Sequence, residues 1–159
     1  MQRVTMVVVI FSFLLAGVPA PALATSASFH FANASASGLN LVVTFKETGL
    51  GNTGFSSVTI DVSAQASATY QCFNGGGNHP KAGNKTTVNG PVGGAGNFPV
   101  SNGQTTGAIT VSLPGPGSFS CPSGQNLVLE SGSYSNITIT DATLGDGPVS
   151  TTPSTIDVP

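Results

Sequence analysis

From Val58 to Cys72 the chain switches between apolar and polar at every step. Val58, Ile60, Val62, Ala64, Ala66, Ala68, Tyr70 and Cys72 hold the even positions, with Thr59, Asp61, Ser63, Gln65, Ser67, Thr69 and Gln71 between them. Successive side chains of a β-strand point to opposite faces, so a period of two predicts a strand with one dry and one wet side. Most strands run roughly 3–10 residues. A bend or break near Ala64-Gln65-Ala66 is therefore expected, giving one long strand or two short ones.

The alternation recurs along the chain. Leu39, Leu41, Val43 and Phe45 face one way, with Asn40, Thr44 and Lys46 opposite. Ile109, Val111 and Leu113 alternate with Thr110 and Ser112, and Phe29 and Phe31 mark a first strand. Leu127, Leu129, Ile137 and Ile139 share odd parity across an interruption at Ser131-Gly132-Ser133. Between these runs lie turn-forming stretches: 49–54, 75–83, Gly93–Gly96 and Pro114–Gly117. No run carries an apolar stripe at helical spacing. The pattern predicts an all-β fold, an immunoglobulin-like antiparallel β-sandwich of about seven to nine strands. The small inward residues Ala64, Ala66 and Ala68 need large partners, for which Phe45, Phe98, Phe119 and Tyr70 are the expected fillers.

Residues 1–24 break the pattern. Arg3 precedes an apolar stretch from Val4 to Val18, and Ala22-Leu23-Ala24 offers the small residues a signal peptidase requires. About 15 apolar residues cover only ~22 Å as a helix, short of the ~30 Å hydrocarbon core. The expectation is a signal peptide cleaved before Thr25. Residues 25–142 would then form the β-domain, with 143–159 a loose tail or edge strand. This places the mature protein outside the cell, with cell-surface association a further expectation, and without membrane insertion.

Export puts Cys72 and Cys121, the chain's two cysteines, in an oxidising compartment, where an even pair predicts a disulfide. The charge is sparse: charged residues make up 6% of the 159, and the net charge is −2. That excludes a polybasic nucleic-acid surface, which needs several Lys or Arg to neutralise phosphates.

Little chemistry stands out. A Ser or Cys nucleophile needs a His base, and neither His30 nor His79 lies in a recognisable nucleophile motif. Glycoside hydrolysis needs two carboxyls across a cleft. Glu47, Asp61, Glu130, Asp141, Asp146 and Asp157 all read as solvated strand ends or turn residues, and the chain has no Trp on which to stack a sugar. No catalytic residues, no enzyme activity and no cofactor are expected. Asp141 and Asp146, with Gly145 and Gly147, could offer oxygen ligands to Ca²⁺, and a plain turn explains them equally. Asn33, Asn84 and Asn136 begin glycosylation sequons.

One segment is unusual. After Cys72, the Gly-rich run to Lys85 concentrates Asn78, His79, Lys81 and Lys85. Consecutive glycines permit an anion-binding nest of backbone N–H groups, so these four form a candidate site for a carboxylate or phosphate on a partner. A solvated loop that aids solubility is the alternative reading. The run Cys72-Phe73-Asn74-Gly75-Gly76-Gly77-Asn78-His79-Pro80-Lys81, with Phe45-Lys46-Glu47-Thr48-Gly49-Leu50-Gly51 before it, resembles a group of small exported bacterial β-domain proteins. The resemblance spans most of the mature chain. It implies a secreted, disulfide-bridged β-domain and no particular activity. The leading expectation is a secreted, non-enzymatic surface protein of adhesion or matrix type, meeting an extracellular or cell-envelope partner. The alternative is a binding module that recognises an anionic ligand through the loop up to Lys85.

Overall fold

A computed structural model describes residues 27–74 and 84–159. The expected signal peptide and most of the loop after Asn74 lie outside the described residues. In chain order come β1 (Ser28–Ser37), β2 (Asn40–Thr48), a 3-10 turn at Leu50–Asn52, β3 (Ser57–Asn74), β4 (Lys85–Pro99), β5 (Gln104–Val111), β6 (Gln125–Asp141), β7 (Asp146–Ser150) and β8 (Ile156–Val158). They form two antiparallel sheets. One has the order β1-β2-β5; the other runs β4-β3-β6-β7, with β8 also pairing with β6. The described residues are thus all-β, with two sheets and one disulfide, Cys72–Cys121.

The inner faces of the two sheets share one core. Leu41, Val43, Phe45, Ile109 and Val111 come from the smaller sheet, and Val58, Ile60, Val62, Ala64, Ala66, Ile137 and Ile139 from the larger. The even-numbered residues of β3 point inward, as the alternation predicts. The strand runs through Ala64-Gln65-Ala66 without a break, because β4 and β6 pair with it on both sides over nearly its full length.

Three bulges decide which side chains reach that core. A bulge sets two residues against one and so reverses the parity of everything beyond it. His30 is the extra residue in β1, which leaves Phe29 against Phe45 and turns Phe31 outward. In β6 the extra residues are Glu130 and Asn136, the latter at φ +51°. The two reversals cancel, so Leu127 and Leu129 share a face with Ile137 and Ile139. The intervening Ser131-Gly132-Ser133 is strand, not an interruption.

Between the two bulges, parity brings Tyr134 inward. It is fully buried and heads the largest such side chains. Its hydroxyl lies 3.0 Å from the carbonyl oxygens of both Leu39 and Val111, where it caps the end of the smaller sheet. Burial pushes its phenol above the ordinary value of 10. Tyr134 is therefore the aromatic set against Ala66, in place of the expected Tyr70 and Phe119.

Gly93–Gly96, expected as a turn, lies inside β4. Here glycine serves close approach. A Cβ on Gly94 would sit 3.0 Å from Ile109 Cγ2 and 3.2 Å from the Thr110 carbonyl, and one on Gly96 would meet the Phe98 ring at 2.7 Å. The bare backbone lets β4 lie against β5 and lets Phe98 reach Phe45, at 4.9 Å between centroids and edge to face.

Residues 143–159 carry β7 and β8, both paired to β6. The segment between these strands joins the sheets through its backbone. The Thr152 N–H donates to Ala32, the Ala34 N–H to Thr152, and the Thr151 N–H to Ile137. The first two bonds occupy an otherwise open edge of β1.

Candidate functional site

Of the four residues expected to bind an anion, Asn78, His79 and Lys81 lie outside the described residues. Lys85 is the first residue of β4, and its Nζ stands 2.7 Å from Glu130 Oε2. With the amide of Gln71 turned so that its nitrogen faces Glu130, that nitrogen donates to the same carboxylate at 3.0 and 3.2 Å. Lys85 is thus engaged across the outer face of the larger sheet. Nearby, Asn84 Nδ2 donates to Gln125 Oε1 at 3.0 Å and ties the loop's end to β6.

That outer face is where polar groups accumulate. Directly paired residues of neighbouring strands share a face. The pairing sets Ser67 beside Asn89 and Ser133, Thr69 beside Thr87 and Ser131, and Ser63 beside Thr138. Thr69 Oγ1 and Thr87 Oγ1 are 3.1 Å apart. A shallow groove of about 260 Å³ runs past Ser67, Thr69, Ser131, Ser133 and Asp157. A second, of about 200 Å³, lies at the opposite end beside Ser101, Gln104 and Thr105.

Carboxyls collect behind this second groove. Glu47 continues the inward series Leu41, Val43, Phe45 on β2 and is fully buried. Its register neighbours are Phe29 on β1 and Thr105 on β5. Asp141, at the end of β6, is also fully buried and pairs in register with Asp146, the first residue of β7. Asp141 Oδ1 accepts from the N–H groups of Thr143 (2.7 Å) and Leu144 (3.1 Å), which shapes the β6–β7 turn. With both carboxyls ionised neither can donate to the other, and a proton between Glu47 and Asp141 would supply the missing bond. Burial first, then the negative charge of Asp141 and Asp146, raises the Glu47 carboxyl from 4.5 to about 8. Glu47 and Asp141 are thus not the solvated residues expected from sequence.

Among the described residues, the buried side-chain oxygens lacking a hydrogen-bond partner are Glu47 Oε1 and Oε2, Thr105 Oγ1, Asp141 Oδ2 and Asp146 Oδ2. All belong to this cluster. Also among the described residues, no group of three or more His, Cys, Asp or Glu side chains is placed to hold a metal ion. Sequence alone marked Asp141 and Asp146 as a possible pair; Glu47 joined them only through folding. The available signal was its parity with Phe45.

Comparison with known proteins yields nothing to set beside this geometry: no family, no curated protein and no solved structure matches the chain. Among the described residues no helix is long and apolar enough to cross a membrane.

Proposed function

We propose that this chain is a secreted, non-enzymatic protein of surface or matrix type, built as an immunoglobulin-like β-sandwich. Its contact surface is the outer face of the five-stranded sheet. One observation carries this reading: the Lys85 half of β4, with β3 and β6 beside it, displays Ser, Thr and Asn side chains around a shallow groove, not an enclosed cavity. Such a face offers many hydroxyl donors and acceptors to an extended partner, such as an envelope polymer or another protein's sheet. The disulfide suits an oxidising compartment. The alternative, anion recognition through the loop up to Lys85, has less support because Glu130 already holds Lys85.

The test uses purified residues 25–159, incubated with intact cells and with envelope fractions. Sedimentation with either, reduced at least tenfold by Ser67→Lys with Ser133→Lys, is the expected result. A protein that binds neither fraction and turns over a substrate overturns the proposal. Binding lost instead in Lys81→Ala with Lys85→Ala transfers the contact to the loop.

A further inference from the structure

Two sheets meet at the carboxyl cluster, each contributing acid. Glu47 comes from the smaller sheet, and Asp141 and Asp146 from the larger. Ionised carboxylates only accept hydrogen bonds, so Glu47 and Asp141 as bare anions would present lone pairs to one another. They would do so fully buried, where an unpaired charge is costly. Among the described residues no cation offsets them. Lys46 is on the opposite face of β2, and Lys85 pairs with Glu130 at the far end. The elements packed around Glu47 bring Phe29 from β1, Thr105 from β5, Asp141 from β6 and Asp146 from β7. Among the described residues, the titratable groups facing it are therefore acids. One proton on Glu47 turns repulsion into an O–H···O⁻ bond, the shorter and stronger kind.

We propose that a single proton shared between Glu47 and Asp141 fastens the two sheets together at this end, making the fold an alkaline-sensitive switch. Withdrawing the proton leaves adjoining buried anions on opposite sheets. The response is for this end to part and admit water, freeing the β6–β7 turn and the 3-10 turn beside Leu50. The raised Glu47 carboxyl places the transition near pH 8. This inference does not depend on what the outer face binds.

The experiment follows thermal unfolding of residues 25–159 from pH 5 to pH 9, for the wild type and Glu47→Gln, with and without EDTA and Ca²⁺. The variant keeps a donor and cannot ionise. The wild-type midpoint should fall about 10 °C more than the variant's across this range. The infrared carbonyl band of a protonated carboxyl, present in the wild type at neutral pH, should be missing from the variant. Should Glu47→Gln fail to fold, Asp141→Asn supplies the second arm: its amide donates to an ionised Glu47, so the protonated-carboxyl band should disappear at lower pH. Equal pH profiles for wild type and variant overturn the proposal. So does a wild-type midpoint raised by Ca²⁺ and lowered by EDTA, which would mean that a cation occupies the cluster.

Discussion

The larger sheet is longer than the smaller, and its two ends are closed by different means. At the end where β3 finishes, the sheet extends beyond β2 and β5. The segment between β5 and β6 covers it, held by Cys72–Cys121 and by the Tyr70 hydroxyl donating to the Pro114 carbonyl at 2.8 Å. At the end where β3 begins, both sheets are present and Glu47 faces Asp141 between them. One closure is covalent and indifferent to pH. The other is electrostatic and depends on it. A small domain can thus be permanently fixed at one end and conditionally at the other, because a disulfide acts mainly on the unfolded chain whereas buried acids act on the folded one.

Removing the covalent closure should have the largest effect. Cys72→Ala with Cys121→Ala releases a loop of 49 residues, worth roughly 4 kcal/mol by chain entropy. Net stability is ordinarily about 5–15 kcal/mol, so denaturant melts should show a marginal domain. Its pH dependence should persist, since the other end is untouched.

Next in size is the pH response. The Glu47 carboxyl titrates at about 8 in the folded chain against an ordinary 4.5. Between these values the folded state retains a proton that the unfolded state has released, so raising the pH favours unfolding. The contribution of this group is full below pH 4.5 and is lost as the pH rises through 8, roughly 3–5 kcal/mol in all. Urea titrations at pH 5, 7 and 9 measure it. A flat profile would leave the two ends no different in kind.

Between the two ends stands Tyr134, which caps the smaller sheet. Tyr134→Phe keeps the ring and removes the one O–H donor that the carbonyls of Leu39 and Val111 share, at a cost of about 1–3 kcal/mol. Thermal melts should show the loss at every pH below 9. The smallest effect belongs to Lys85→Ala. Its ion pair with Glu130 is partly solvated, with side-chain exposures of 46% and 34%, and such pairs contribute at most about 1 kcal/mol. A larger loss would mean that the outer face stabilises the fold as well as displaying polar groups.

Much of the fold was legible in the residues themselves. The alternation of Val58–Cys72 set β3 and its inward face, because strand geometry repeats every two residues whatever the neighbours do. Two cysteines in a chain expected to be exported left one pairing. What alternation could not reveal was where parity reverses. Nothing local marks His30, Glu130 or Asn136 as a bulge, since a bulge exists only in relation to the partner strand. Tyr134 therefore came inward unannounced, Phe31 turned out, and the Ser131–Ser133 stretch stayed strand. The glycines of β4 likewise looked like a turn until β5 and Phe98 occupied the space their missing side chains leave. Glu47 and Asp141, 94 positions apart, became neighbours only when the sheets closed. Local pattern determines which face a side chain prefers; only tertiary packing decides which charges share that face, because electrostatic coupling depends on distance through space and on exclusion of water.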